Sequence, residues 1–129
     1  MASVSDVVKT RLTHSANPEV TVLEAARIMT ERNIGALPVL RDGRLLGIFS
    51  ERDVMTRVVA AGRSPGSTKL SEVMTPYPRT VTPEETVENC LFMMKEFGFR
   101  HLPICAGDEF VGLVSVRDLM LFDHGRRSA

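Results

Sequence analysis

Tryptophan is absent from this chain of 129 residues, tyrosine occurs once, and aromatic residues make up only 5% of the whole. That scarcity leaves little from which to build the stacking platform that holds single-stranded nucleic acid. An excess of one charge sign is also missing, since Lys and Arg number 16 and Asp and Glu number 16. Binding a phosphate backbone requires a basic footprint, so no nucleic-acid partner is expected. No apolar run approaches the roughly 18 residues that a membrane-spanning helix needs, so no membrane partner is expected either. The opening residues Met1-Ala2-Ser3-Val4-Ser5-Asp6 lack the basic and apolar regions of a signal peptide. Without such a signal, Cys90 and Cys105 are expected as reduced thiols in a cytoplasmic protein. Together with His14, His101 and His124 they show no zinc-ligand spacing, and no metal site is expected. Nothing resembles a nucleophile with its base, a Walker loop or a dinucleotide-binding glycine cluster, so no catalytic residue is assigned.

What the chain does have is a repeat. Gly47-Ile48-Phe49-Ser50-Glu51-Arg52-Asp53 returns 65 residues later as Gly112-Leu113-Val114-Ser115-Val116-Arg117-Asp118. Extended outward, Pro18 to Met55 aligns with Pro83 to Met120 without a gap, and 13 of the 38 positions are identical. Units of about 60 residues bury only about 60% of their unfolded surface, so each half alone would be marginal. Two halves packed together, with a seam between them, is the expected solution.

The halves read alike. Val4, Val7, Val8 and Leu12 suit a short amphipathic lead-in helix. Thr21 to Glu24 has the capping-box pattern, and Val22, Ala25, Ala26 and Met29 give one buried face ending near Asn33 or Gly35. Leu37 to Leu40 and Leu45 to Phe49 flank Asp42-Gly43, a hairpin signal. Ser50 then starts a helix with Val54, Val58 and Val59 inward, stopped at Gly62. After a linker and one helical turn at Ser71 to Met74, the order repeats. Arg79 to Thr82 is a lead-in strand, Thr86 to Phe97 a helix, and Leu102 to Cys105 with Phe110 to Ser115 a hairpin around Gly107-Asp108. A last helix runs from Ser115 to Phe122, followed by a frayed polar tail. The expected organisation is a first repeat with its lead-in helix at 1–62, a linker at 63–78, a second repeat at 79–122 and a tail at 123–129. Cys90, Cys105 and the methionines Met29, Met55, Met93, Met94 and Met120 are expected to be mostly core. An adaptable apolar lining for a ligand is the other use of such methionines.

With Leu37-Pro38-Val39 and Leu102-Pro103-Ile104 ahead of the hairpins, and Gly-x-x-Ser-x-Arg-Asp closing each, the unit resembles the CBS domain. The domain takes its name from cystathionine β-synthase, and its tandem pair is called a Bateman module. The resemblance covers about residues 5 to 122. It implies a mixed α/β fold of two β-α-β-β-α units related by a pseudo-twofold axis. It also implies clefts at the seam that take AMP, ADP, ATP, NAD(H) or S-adenosylmethionine, with AMP foremost. A stand-alone pair of this kind is expected to form a homodimer and to regulate another protein in trans.

The candidate binding residues follow from the motif. Gly47 and Gly112 lie where a strand allows close approach by backbone or ligand. Ser50 and Ser115 start helices, whose first amides attract anions. Asp53 and Asp118 can accept both hydroxyls of a ribose, and Arg52 and Arg117 offer forked donors to phosphate. The same Ser-x-x-Asp spacing is also a helix cap that needs no ligand. Pro38 and Pro103 complete the set carried over from the family. Arg100-His101 precedes Leu102-Pro103, and the resemblance places such cations at the phosphate of the ligand held by the other repeat's acid, Asp53. The matching residues Gly35-Ala36 are uncharged, so the Asp53 site is expected to be the better provided. A surface Arg and a partly buried His is the plainer reading of this pair.

Overall fold

The computed structural model describes residues 2–8 and 14–128. The chain is mixed α and β, and divides into one unit of residues 14–78 and another of residues 1–13 with 79–129. The expected place of Leu12 in the lead-in helix lies outside the described residues.

In the first unit, α2 (Val22–Arg32) starts at Thr21, whose hydroxyl accepts the Glu24 amide, and ends at Asn33 in left-handed geometry. The Glu24 carboxylate meets the Thr21 hydroxyl at 3.2 Å, where the capping pattern predicts the Thr21 amide. Val22, Ala25 and Met29 turn inward, as their spacing requires. β1 (Ala36–Arg41) and β2 (Arg44–Ser50) form the hairpin around Asp42 and Gly43, both at positive φ. The second unit repeats this with α5 (Val87–Phe97), β4 (His101–Ala106) and β5 (Glu109–Ser115). Both hairpins shift register at the matching place, Val39/Leu40 and Ile104/Cys105.

The two lead-in strands are each a single parallel bridge. The Ala16 amide donates to the Pro38 carbonyl at 3.0 Å, and the Val81 amide to that of Pro103 at 3.1 Å. Proline has no amide with which to extend this pairing, which accounts for its brevity.

The repeat also reaches a segment that the alignment left out. α1 (Val4–Val8) and α4 (Leu70–Val73) are equivalent short helices, each started by an acid that accepts a main-chain amide. Asp6 takes that of Ser3 at 3.3 Å, and Glu72 that of Lys69 at 2.8 Å. α1 precedes the first repeat in the chain, yet its Val4 and Val7 are buried with Val87, Cys90, Leu102 and Leu119 of the second. α4 precedes the second repeat, and its Leu70 and Val73 join Val22, Leu37, Phe49 and Val58 of the first. Segment 63–72 is pinned by ion pairs from Arg63 to Glu72 and from Lys69 to Glu19. The hydrogen bond from Lys69 holds the Glu19 carboxyl below its ordinary pKa.

Three expectations change. α3 (Glu51–Asp53) gives way to a π-helical turn over Val54–Val59, which widens the backbone and turns Val59 outward, 67% exposed, while Val58 stays buried. Met55 and Met120 are 60% and 59% exposed, whereas Met29 and Met94 are in the cores. The tail is helical, because α6 runs from Val116 to Ser128. Cys90 is buried and burial pushes its thiol up to about 11, while Cys105 is half-buried. No described helix is long and apolar enough to cross a membrane.

Gly47 has a packing role. β3 (Thr75–Pro76) pairs with β2 beside it, and a Cβ there would lie 2.6 Å from Met74 Sδ and 2.7 Å from the Thr75 carbonyl. Gly47→Ala is therefore expected to lower unfolding free energy by about 1–3 kcal/mol in denaturant titration. Gly66→Ala, with open space around it, should change it by less than about 0.5 kcal/mol. Equal effects would contradict the close approach.

Candidate functional site

Each hairpin delivers its last residue, a serine, to a strand-to-helix junction. Ser50 has extended backbone angles and caps α3, its hydroxyl accepting the Asp53 amide at 3.3 Å. Asp53 Oδ2 in return accepts the Ser50 amide at 2.9 Å and the Ser50 hydroxyl at 3.1 Å. In the second unit Ser115 accepts the Asp118 amide at 3.0 Å, and Asp118 Oδ2 accepts the Ser115 amide at 2.8 Å. The Ser-x-x-Asp stretch is thus a reciprocal helix cap at both places. Capping uses Oδ2 of each carboxylate.

The two acids differ in setting. Asp53 is buried, 8% exposed, and its Oδ1 lies 3.4 Å from Arg57 Nε. Asp118 is half-buried, and its α6 carries Phe122 at the position that matches Arg57. Arg52 and Arg117, one residue before the acids, are exposed in both units.

A second main-chain bond repeats at each junction. The Glu51 amide donates to the Gly35 carbonyl, and the Val116 amide to that of Arg100, both at 2.9 Å. With His101 paired in register to Ser115, this brings Arg100 and His101 against the Ser115–Asp118 junction of their own repeat. Arg100 is exposed and His101 half-buried. Pro38 and Pro103 are buried in β1 and β4, opposite Ile48 and Leu113, and Gly112 is buried in β5 opposite Ile104.

Beside that second junction lies a groove of about 590 Å³ between α5 and α6. Leu91, Met94, Phe99, Val116 and Met120 line it with apolar surface, and Lys95 and Arg100 bring cationic groups, with His124 beside them and Asp123 the one acid. Its volume is within the range of small-molecule sites, about 300–1,000 Å³. Sequence reasoning missed Lys95, Asp123 and His124. The 3.6-residue spacing of Leu91, Met94, Lys95 and Gly98 could have placed Lys95 beside the apolar face, but the polar tail carrying Asp123 and His124 offers no such spacing. Among the described residues, no group of three His, Cys, Asp or Glu could hold a metal ion.

Comparison with known proteins agrees with this architecture. The CBS domain family matches twice, over residues 4–60 and 70–125, starting at α1 and at its equivalent α4. The chain is 35% identical over 129 residues to the CBS domain-containing protein YhcV of Bacillus subtilis, covering 100% of this chain and 91% of that protein. Among solved structures it is similar to the CBS-domain containing protein ATU1752 from Agrobacterium tumefaciens, with a TM-score of 0.85 at 28% identity over 95% of this chain and 99% of that one. The CBS domain pair of protein MJ0100, solved in complex with 5′-methylthioadenosine and S-adenosyl-L-methionine, has a TM-score of 0.84 at 23% identity, covering 98% of both chains.

Removing either cap hydroxyl should cost stability without removing the fold. Ser50→Ala and Ser115→Ala are each expected to lose about 0.5–2 kcal/mol in chemical denaturation. Losses within about 0.2 kcal/mol of zero at both sites would show that the caps contribute little.

Proposed function

The chain belongs to the CBS-domain family as a tandem pair, and from that premise we propose that it is a regulatory module that binds an adenosine-containing ligand, AMP foremost. Paired domains of this family are regulatory and ligand-binding. The observation that carries the finer reading is the doubled junction, where an acid is held at a helix start by its serine, a placement from which a carboxylate can accept ribose hydroxyls. Hydrogen bonds to a charged acceptor contribute roughly 1.5–3 kcal/mol each, enough to orient a nucleoside. The groove beside Ser115 adds apolar surface for a flat ring and cations for a phosphate. Binding of methylthioadenosine and S-adenosylmethionine by MJ0100 supports the adenosyl class, with ADP, ATP and NAD(H) as further members. Ligand occupancy then alters how the chain packs or associates, by the difference in its affinity for the two arrangements.

The proposal includes a homodimer acting on a regulated protein in trans, and no catalytic step. Phe92 and Leu121, both 61% exposed, and Met120 at 59% leave apolar surface on α5 and α6. Such surface also favours a second reading, an interaction scaffold whose sites stay empty.

Calorimetric titration with AMP, ATP, NADH and S-adenosylmethionine separates the two. AMP is expected to bind, and at a hundredfold excess over Kd to stabilise the fold by about 2.7 kcal/mol. Asp53→Ala should weaken binding more than Asp118→Ala, because Asp53 is the more buried acid and is held by cap and arginine together. No heat and an unchanged Tm with all four ligands would leave the scaffold; equal losses would remove the asymmetry. In sedimentation, Leu121→Asp should convert the dimer to monomer, and a wild-type monomer would refute the dimer.

A further inference from the structure

Arg57 touches two parts of the first unit at once. Its Nε faces Asp53 Oδ1 at 3.4 Å, the oxygen that the Ser50 cap leaves over. Its Nη1 reaches the carbonyl of Met74 at 3.2 Å and that of Val73 at 3.4 Å. Those carbonyls close α4 and lead straight into β3, the two-residue strand that covers Gly47. Arg57 lies within the π-helical turn Val54–Val59, and such turns are often found at functional sites. A planar guanidinium can serve a carboxylate and main-chain carbonyls together, which a lysine, as a point charge, cannot do in the same geometry.

We propose that Arg57 is a positioning residue that couples the state of Asp53 to the order of the α4–β3 segment, residues 70–76. While Asp53 holds Arg57, the guanidinium is fixed over the Val73 and Met74 carbonyls. A ribose hydroxyl donating to Oδ1 competes for the same oxygen, frees the guanidinium to move, and loosens the exit of α4. Segment 70–76 is where the chain leaves this unit, so the effect is delivered to the covalent path toward the second repeat. At the matching position of the second repeat stands Phe122, which packs against the second core. The coupling through Arg57 belongs to the first repeat. The ligand step rests on the proposed nucleotide binding, whereas the link between Asp53, Arg57 and α4–β3 does not.

Amide hydrogen exchange on the full chain tests both parts separately. Without ligand, Asp53→Asn and Arg57→Gln are each expected to speed exchange at the Met74 and Tyr77 amides, bonded to Leu70 and Leu46, on the order of fivefold. The double variant should be no faster than Arg57→Gln alone, since both remove one link. Additive effects, or an Asp53→Asn protein with unchanged exchange there, would overturn the proposal and leave Arg57 a simple cap of α4. In the second arm, saturating AMP should speed exchange at these amides in the wild type and not in Arg57→Gln. This arm leaves Asp53 intact, so it still decides the matter if Asp53→Asn fails to fold. Absence of AMP binding to the wild type by calorimetry would refute the nucleotide reading, while the ligand-free variants would still judge the coupling.

Discussion

A carboxylate accepting the amide of the serine three residues before it holds this structure together at two points. Asp53 takes the Ser50 amide and Asp118 the Ser115 amide, at 2.9 and 2.8 Å. Each bond ends a strand and begins a helix, so it fixes the direction in which the helix leaves the hairpin. It also places an acid where burial would otherwise penalise it, because the first amides of a helix supply donors and the favourable end of the dipole. An acid held this way is already oriented, which lowers the ordering cost of any further hydrogen bond that it accepts.

The same bond explains why the two halves need not act alike. Duplication copied the cap, the hairpin and the bridge from the lead-in residue to proline, and then left the next turn free to diverge. The first repeat widened that turn into a π-helix and placed Arg57 against the spare oxygen of Asp53. The second kept an α-helix, put Phe122 into its core, and extended α6 beyond it as far as Ser128. Asp123 and His124 on that extension join Arg100 and Lys95 at the groove, so charge gathers in the second unit where the first has none at Gly35-Ala36. One junction has an acid faced by Arg57, and the other borders a groove lined by Lys95 and Arg100.

Much of this was legible in the order of residues. The hairpin turns at Asp42-Gly43 and Gly107-Asp108, the caps at Thr21 and Thr86, and the left-handed stops at Asn33 and Gly98 all rest on local backbone chemistry. Other features were not, for reasons that are also physical. α1 and α4 are each written ahead of one repeat and buried in the other, and no local pattern records a distant packing partner. The π-helical turn has no propensity signature, so Val59 passed for a core residue on α-helical spacing. Gly47 drew attention as a point of close approach, but only the path of Thr75 identifies backbone as what approaches. Arg57, at the fourth residue after Asp53, could have been paired with it by helical spacing; its second hold, on Val73 and Met74, depends on tertiary structure.

The most direct measurement is the mass of the folded protein, recorded under native conditions as purified and again after equilibration with AMP. The account predicts an added mass equal to an adenosyl ligand that falls in abundance in Asp53→Ala while the unfolded chain mass changes only by the substitution. A ligand-free mass throughout, or a bound species that survives the loss of Asp53 undiminished, would contradict it.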